Sequence, residues 1–311
     1  MRVGVSAITV LSLMLLGGHG LAQERSASLA LRLEIGRTTL VLGEPVYVTV
    51  RLVNVGATPV EVFQLLDPQT GAVHIDVSRP DRPHFRFLPL FSADAVRART
   101  PLAPGEEVAA AFPIFYGALG WTFNQPGVYR VTAEYRDSRG MRDEPVRSNP
   151  VDVTVAEGSG VGARLMNATT ASEEAGKFLL WQRGDHLQAG QALLADLLKT
   201  HPDSPVAEYA LVAFGRNLSR SFRNYAVGRI RQSDCDSALK YFEKVRSDRL
   251  PVLLQIQLHL DEARCRIRMS QPAQAGESLK RAEQSGGRNP EYRLLFQQAI
   301  RLEPALKPAL Q

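Results

Sequence analysis

Two cysteines, six histidines and a local run of arginines are the residues of this 311-residue chain whose types and spacing could do chemistry. Cys235 and Cys265 could form a structural disulfide, ligate a metal, or lie buried as free thiols. Metal ligation wants four donors, and only His259 stands near the pair in sequence. His74 and Asp76, two positions apart, share one face of any strand, which supplies two ligands and no third. Neither His-Glu-x-x-His, Gly-x-Ser-x-Gly, a P-loop nor Cys-x-x-Cys occurs. The expectation is therefore a non-catalytic protein with no cofactor and no metal.

Binding residues are easier to name. Residues 206–233 hold Arg216, Arg220, Arg223, Arg229 and Arg231 against a single acid, Glu208. Without Arg2, which falls in the leader described below, the chain carries 36 basic (37 minus one) and 32 acidic residues, so its positive excess is confined to this segment. Read as one helix from Val206 to Gln232, the segment buries a stripe of Leu211, Phe214, Leu218, Phe222 and Tyr225. Arg216, Arg220 and Arg223 then project from the opposite side. They form either an ordinary solvated face or an anion-reading surface for an acidic protein or polymer. A second cluster is aromatic: Phe112, Phe115, Tyr116, Trp121 and Phe123. Rigid rings in a loop region can anchor a ligand, or they can seal a domain end and seat a neighbour.

The elements that must position these residues fall into two kinds. Residues 1–22 read first as an export signal: Arg2, an apolar run from Val3 to Leu16, and Gly20-Leu21-Ala22 before Gln23. That run is short for a membrane span, no second one follows, and no cysteine marks a lipid-anchoring site. A periplasmic or secreted address is expected, one that permits disulfides and disfavours nucleic acid as a partner. Over residues 27–156 the hydrophobic period is two. Val46, Val48, Val50 and Leu52 alternate with Tyr47, Thr49 and Arg51, and Tyr129 to Tyr135 repeats the pattern. Turns at Leu42-Gly43-Glu44, Asp67-Pro68, Ala103-Pro104-Gly105 and Gln125-Pro126-Gly127 punctuate short strands, which argues for an antiparallel β-sandwich. Pro126-Gly127-Val128-Tyr129-Arg130-Val131 resembles the strand entry of bacterial immunoglobulin-like and fibronectin-type domains. The resemblance implies that the Tyr129 hydroxyl folds back onto a nearby loop.

Residues 157–170, rich in glycine and small polar residues, read as a linker. Gly158-x-Gly160-x-x-Ala163 fits a loose phosphate-binding turn but lacks the parallel sheet that such a turn needs. Residues 171–302 are helical in pattern, with expected helices at Ala175–Arg183, Leu187–Thr200, Val206–Gln232, Asp236–Arg246, Val252–Arg268, Pro272–Gln284 and Pro290–Leu302, and residues 303–311 form a tail. Thr170-x-x-Glu173 has capping-box spacing, and Ser204-Pro205 marks another start. Ala238, Phe242 and Val245 share a helix face, as do Gly190, Leu194 and Leu197, and Ala275, Leu279 and Ala282. This comb resembles the second helix of tetratricopeptide repeats, with small residues admitting a neighbouring helix and larger ones filling the space between. In a helical hairpin turning near Leu250-Pro251, Cys235 and Cys265 sit at equal arms from the turn, which places them side by side and favours a disulfide. The combined expectation is an all-β immunoglobulin-like domain followed by an all-α tetratricopeptide-like array. Its function would be that of an exported scaffold binding other envelope proteins; the alternative is a carbohydrate-binding or protease-inhibiting sandwich anchored by the helices.

Overall fold

A computed structural model describes residues 28–79, 82–93, 98–136, 144–156, 160–225 and 227–287, with isolated positions as far as 306. The expected export signal, residues 1–22, lies outside the described residues, as do most of the expected last helix and of the tail. Strands come first in the chain and helices follow, so the structure is mixed in content and segregated along the sequence.

The first half contains β1 (Leu29–Ile35), β2 (Thr39–Val41), β3 (Tyr47–Asn54), β4 (Val60–Phe63), β5 (Val73–Arg79), β6 (Arg82–Arg86), β7 (Arg99–Leu102), β8 (Glu107–Pro113), β9 (Tyr116–Gly117), β10 (Gly120–Trp121), β11 (Gly127–Tyr135), β12 (Val146–Arg147) and β13 (Val151–Ala156). One sheet runs β1-β3-β8, antiparallel throughout. The other runs β2-β13-β11-β5-β6, with β12 also paired to β11 and β2 joined in parallel to β13. Two short ladders, β4-β7 and β9-β10, complete this half. Alternation decides which side is buried: Val48, Val50 and Leu52 of β3 face the core, as do Ile75 and Val77 of β5 and Tyr129, Val131 and Ala133 of β11. Tyr129 meets the expectation set for it. Its hydroxyl donates to the Gln125 carbonyl at 2.8 Å and accepts from the Gln125 amide at 3.1 Å.

The helical half contains α1 (Gly160–Ala171), α2 (Glu173–Trp181), α3 (Gln188–Thr200), α4 (Pro205–Ser219), α5 (Cys235–Phe242), α6 (Val252–Arg268) and α7 (Pro272–Gly286). A small hairpin of β14 (Phe222–Asn224) and β15 (Arg229–Arg231) separates α4 from α5. Successive helices pack as α2 on α3, α4 on α5 and α6 on α7, and α4 also touches α2 and α6. Of the comb, Gly190 admits its neighbour and Phe242 fills a gap, whereas Val245 lies past the end of α5. A Cβ on Gly190 would overlap the backbone of Glu174 and Ala175, so α3 lies directly on α2, and the Phe242 ring of α5 lies over Gly215 of α4. Ser204 caps α4 by accepting the Ala207 amide at 3.2 Å.

Three expectations are corrected. Residues 160–171 form a helix and not a linker: Met166 is buried, and this turn of α1 lies in contact with Gly43, whose left-handed φ of 81° belongs to the turn after β2. The cap of α2 is Ser172, accepting the Ala175 amide at 3.1 Å, and Thr170 sits in the preceding helix. The long helix over 206–232 stops at Ser219 and gives way to the hairpin, whose turn contains Gly228 at φ 65°. Gly228 disfavours a helix interior and suits this turn, and the ladder hydrogen bonds of β14–β15 replace the helical ones.

Candidate binding surface

Shortening that helix rearranges its arginines. Arg216 does not project into solvent; it is 8% exposed and donates through Nε to Asp261 Oδ2 of α6 at 2.7 Å. Arg216 also bonds the side-chain oxygens of Gln182 and Gln257. Arg220 donates to both oxygens of Asp261, at 3.1 and 2.9 Å, and Arg264 adds a third guanidinium. Burial alone would raise the Asp261 pKa, but the three arginines outweigh it and hold the carboxyl at about 2. Burial pushes the Arg216 pKa down, an effect that Asp261 opposes. The expected exposed face of Arg216, Arg220 and Arg223 therefore dissolves: two of its members tie α4 to α6, and Leu218 and Phe222 are only half-buried.

Arg223 stays exposed, on the hairpin. The base of the hairpin is fastened on several sides. Arg231 donates to Asp185 Oδ2 at 2.7 Å, to the Asn217 carbonyl at 2.7 Å and to the Arg220 carbonyl at 3.1 Å. Arg268 of α6 holds the Ser219 carbonyl at 2.6 Å, and the Asp234 amide bonds the Leu218 carbonyl at 2.9 Å. Phe222 stacks on the His186 ring with 5.9 Å between centroids. Directly after the hairpin, Asp234 caps α5 through the Ser237 amide, and Cys235 is bonded to Cys265 of α6 with Cα atoms 5.1 Å apart. The disulfide thus closes the chain segment that contains Asp261, and it clamps the outgoing end of the hairpin to α6.

Above this base the hairpin is bare. Tyr225 is 81% exposed, Val227 62% and Ile230 55%, and Arg223 and Arg229 are exposed beside them. The Arg223 guanidinium lies over the Tyr225 ring at 5.2 Å from its centroid. Asn224 opposes Arg229 next to the turn, Arg223 opposes Ile230 one pair below, and Phe222 opposes Arg231 at the base. An exposed apolar group of this kind on a fastened stem is suited to contact with another surface.

The aromatic cluster has a different place. Phe115, Tyr116, Trp121 and Phe123 are all buried, together with Phe112. Phe115 and Tyr116 each lie 5.7 Å from Trp121, whose indole nitrogen donates to the Ser172 carbonyl at 3.2 Å. The Tyr116 ring covers Gly176 of α2 where a Cβ would collide with it, and Phe123 packs on Tyr129 at 5.0 Å. These rings join the strands to the helices in one continuous core, a seam extended by Tyr47 stacked on Tyr209. Phe115 and Phe123 are buried among these rings; Trp121 borders a cleft of about 260 Å³ with Phe85, Phe87, Arg79 and Arg86, and Tyr116 borders another of about 280 Å³ with Phe112, Phe91 and Trp181. Asp76 pairs with Arg86, which also reaches Glu134, while His74 lies 3.9 Å from Glu134 and burial lowers the His74 pKa. Among the described residues no group of three or more His, Cys, Asp or Glu side chains is placed to hold a metal, and no helix is long and apolar enough to cross a membrane.

No family model matches the chain, and no curated protein matches it. Solved structures similar to parts of it include a β-glucosidase from Erythrobacter marinus, at 13% identity and a TM-score of 0.26 over 42% of this chain and 15% of that one. A CARDB domain from Pyrococcus furiosus has 16% identity and a TM-score of 0.23 over 41% of this chain and 91% of the domain. The sporulation control protein of Bacillus subtilis has 11% identity and a TM-score of 0.26, covering 50% of this chain and 54% of its own. The chain spans about 15% of the β-glucosidase and about half of the sporulation protein. Likenesses this partial assign no family.

Proposed function

We propose that this chain is a non-catalytic, exported binding protein of the cell envelope that attaches to its partners through the β14–β15 hairpin. The observation that carries the proposal is the contrast within that hairpin: a base fastened by Arg231, Arg268 and the Cys235–Cys265 bond, and a tip that exposes Tyr225, Val227 and Ile230. Ordered but uncovered apolar side chains gain free energy when another surface covers them, and a fixed stem lowers the ordering cost of that contact. In this reading the strand half is an immunoglobulin-like sandwich, supported by the Tyr129 hydroxyl bonded to Gln125. The helical half is a tetratricopeptide-like array, supported by consecutive helix pairs and by the close seats at Gly190 and Gly215. Export is supported by the pattern of residues 1–22 and by the disulfide. The partners are envelope components with acidic surfaces, which complement the arginines of the hairpin.

The test compares the wild type with the Tyr225→Ser, Val227→Ser, Ile230→Ser triple variant for retention on envelope membranes isolated from the source cell. Retention should fall with the variant and with rising salt. Equal retention of the two proteins would overturn the proposal. A second reading, carbohydrate recognition by the strand half, is favoured by the cleft beside Trp121, whose aromatic wall and two arginines suit a sugar-sized polar ligand. Quenching of Trp121 fluorescence by envelope glycans, in a Trp181→Phe background, would favour it over the first.

A further inference from the structure

We propose that the surface covered by the β14–β15 hairpin is an anionic lipid bilayer, which makes the hairpin a membrane-surface anchor; this rests on the reading of the hairpin as the attachment element. The order of residues along the stem matches the layering of a bilayer surface. Tyr225 and Val227 belong to the turn at the far end, and Arg229 and Arg223 occupy the two residue pairs below it. Each pair along a strand adds about 3.4 Å, so the cationic level begins roughly 3 Å below the apolar end and reaches roughly 7 Å below it. A bilayer surface has the same order in depth. Interfacial elements bury their apolar residues about 5–10 Å into the boundary between headgroups and acyl chains, with basic side chains at the phosphates.

The side-chain types fit those levels. A tyrosine is suited to the interface, apolar in its ring and polar at its hydroxyl. The Arg223 guanidinium stacked on that ring is held where a lipid phosphate would lie, and a guanidinium can bond phosphate through two parallel N–H groups. Ile230, opposite Arg223, adds apolar area at the lower level. Charge complementarity points the same way, because no carboxylate occurs between Glu208 and Asp234 while five arginines do. Of the carboxylates around the base, Asp185 is paired with Arg231 and Asp261 with Arg216 and Arg220, while Asp234, three residues past the stem, caps α5. From Phe222 to Arg231 the stem presents no carboxylate to a phosphate layer.

The experiment is co-sedimentation of the purified chain beginning at Gln23, which lacks the apolar leader, with two kinds of vesicle. One is phosphatidylcholine alone and the other contains phosphatidylglycerol. The chain should bind the anionic vesicles, less so as salt rises, and bind pure phosphatidylcholine at least tenfold more weakly. Arg223→Gln with Arg229→Gln should lower binding to anionic vesicles roughly tenfold or more. The Tyr225→Ser, Val227→Ser, Ile230→Ser variant should abolish it. All these side chains are exposed, so both variants should melt with the wild type; a melt that coincides shows that a lost interaction is not lost folding. Failure of the wild type to bind anionic vesicles overturns the lipid assignment, as does binding that ignores both variants. If vesicles are ignored while envelope membranes still retain the wild type, and protease treatment of those membranes ends the retention, the occupant is an acidic protein. In that outcome the hairpin keeps its attachment role and loses its lipid.

Discussion

Replacing Asp261 with asparagine should destabilise the protein more than any other single polar substitution considered for the helical half. The wild-type carboxylate is fully buried and accepts bonds from Arg216, Arg220 and Arg264. Asparagine keeps the shape and removes the charge, leaving the buried Arg216 guanidinium beside two other cations with no anion among them. Breaking a buried ion pair from one side costs about 3–5 kcal/mol, because the remaining charge stays desolvated. Arg216→Gln should cost less, since Asp261 keeps Arg220 and Arg264, both nearer solvent. The assay is urea unfolding of the oxidised chain followed by far-ultraviolet circular dichroism, with midpoints compared at equal slopes. The cluster also fixes a pH dependence. Asp261 titrates at about 2 in the folded protein, below the ordinary 3.8 of an aspartate. Its contribution, about 2 kcal/mol by linkage, is therefore complete above the unfolded pKa and is lost as pH falls from about 4 through about 2. Asp261→Asn should flatten that acid limb. A loss below about 1 kcal/mol, or an unchanged acid limb, would refute the reasoning and return Arg216 to the solvent.

Changes at three further places test the parts that hold the site. Tyr129→Phe should keep the fold and cost about 1 kcal/mol for the lost hydroxyl bonds to Gln125, while Tyr129→Ala should cost about 3–5 kcal/mol by opening a cavity; denaturant midpoints check both. Peptide mapping without reductant should recover Cys235 linked to Cys265, and the double alanine variant should lose about 3–4 kcal/mol on the chain-entropy estimate, whereas two alkylatable thiols in the folded protein would contradict the bond. Gly176→Ala should push Tyr116 off α2 and cost about 1–3 kcal/mol by overpacking, read as a lowered melting temperature; a neutral result would mean that the strands and helices do not share this seam.

The sequence and the structure agree wherever a single periodicity governs. The alternation at Val48, Val50 and Leu52 places β3, and the spacing of Gly190, Leu194 and Leu197 places the buried face of α3, because each pattern reflects one local geometry against one core. Tyr129 is legible because its partner, Gln125, is only four residues away. Legibility fails where the deciding partner is distant or the signal is a breaker. Asp261 lies 45 residues from Arg216, and no local pattern distinguishes a buried arginine from a solvated one. In the run from Phe222 to Tyr225 the apolar spacing suits a helix, yet Gly228 and the alternation Arg229-Ile230-Arg231 were the signals of a hairpin. Residues 160–171 are helical through the burial of Met166 against the turn at Gly43, a tertiary contact that outweighs the low helix propensity of their glycines. The aromatic residues close together in sequence do form one cluster. What composition could not say is that α2 supplies the surface they cover.

If the hairpin tip is where this protein meets its partner, a photo-crosslinking side chain in place of Val227 should capture that partner in the source cell. Val55, a valine of similar exposure on the strand half, serves as the control position. Irradiation should give adducts from position 227, to lipid if the anchor assignment holds or to an acidic protein if it does not, and few from position 55. An absence of adducts at position 227, or equal yields from the two positions, would contradict the claim.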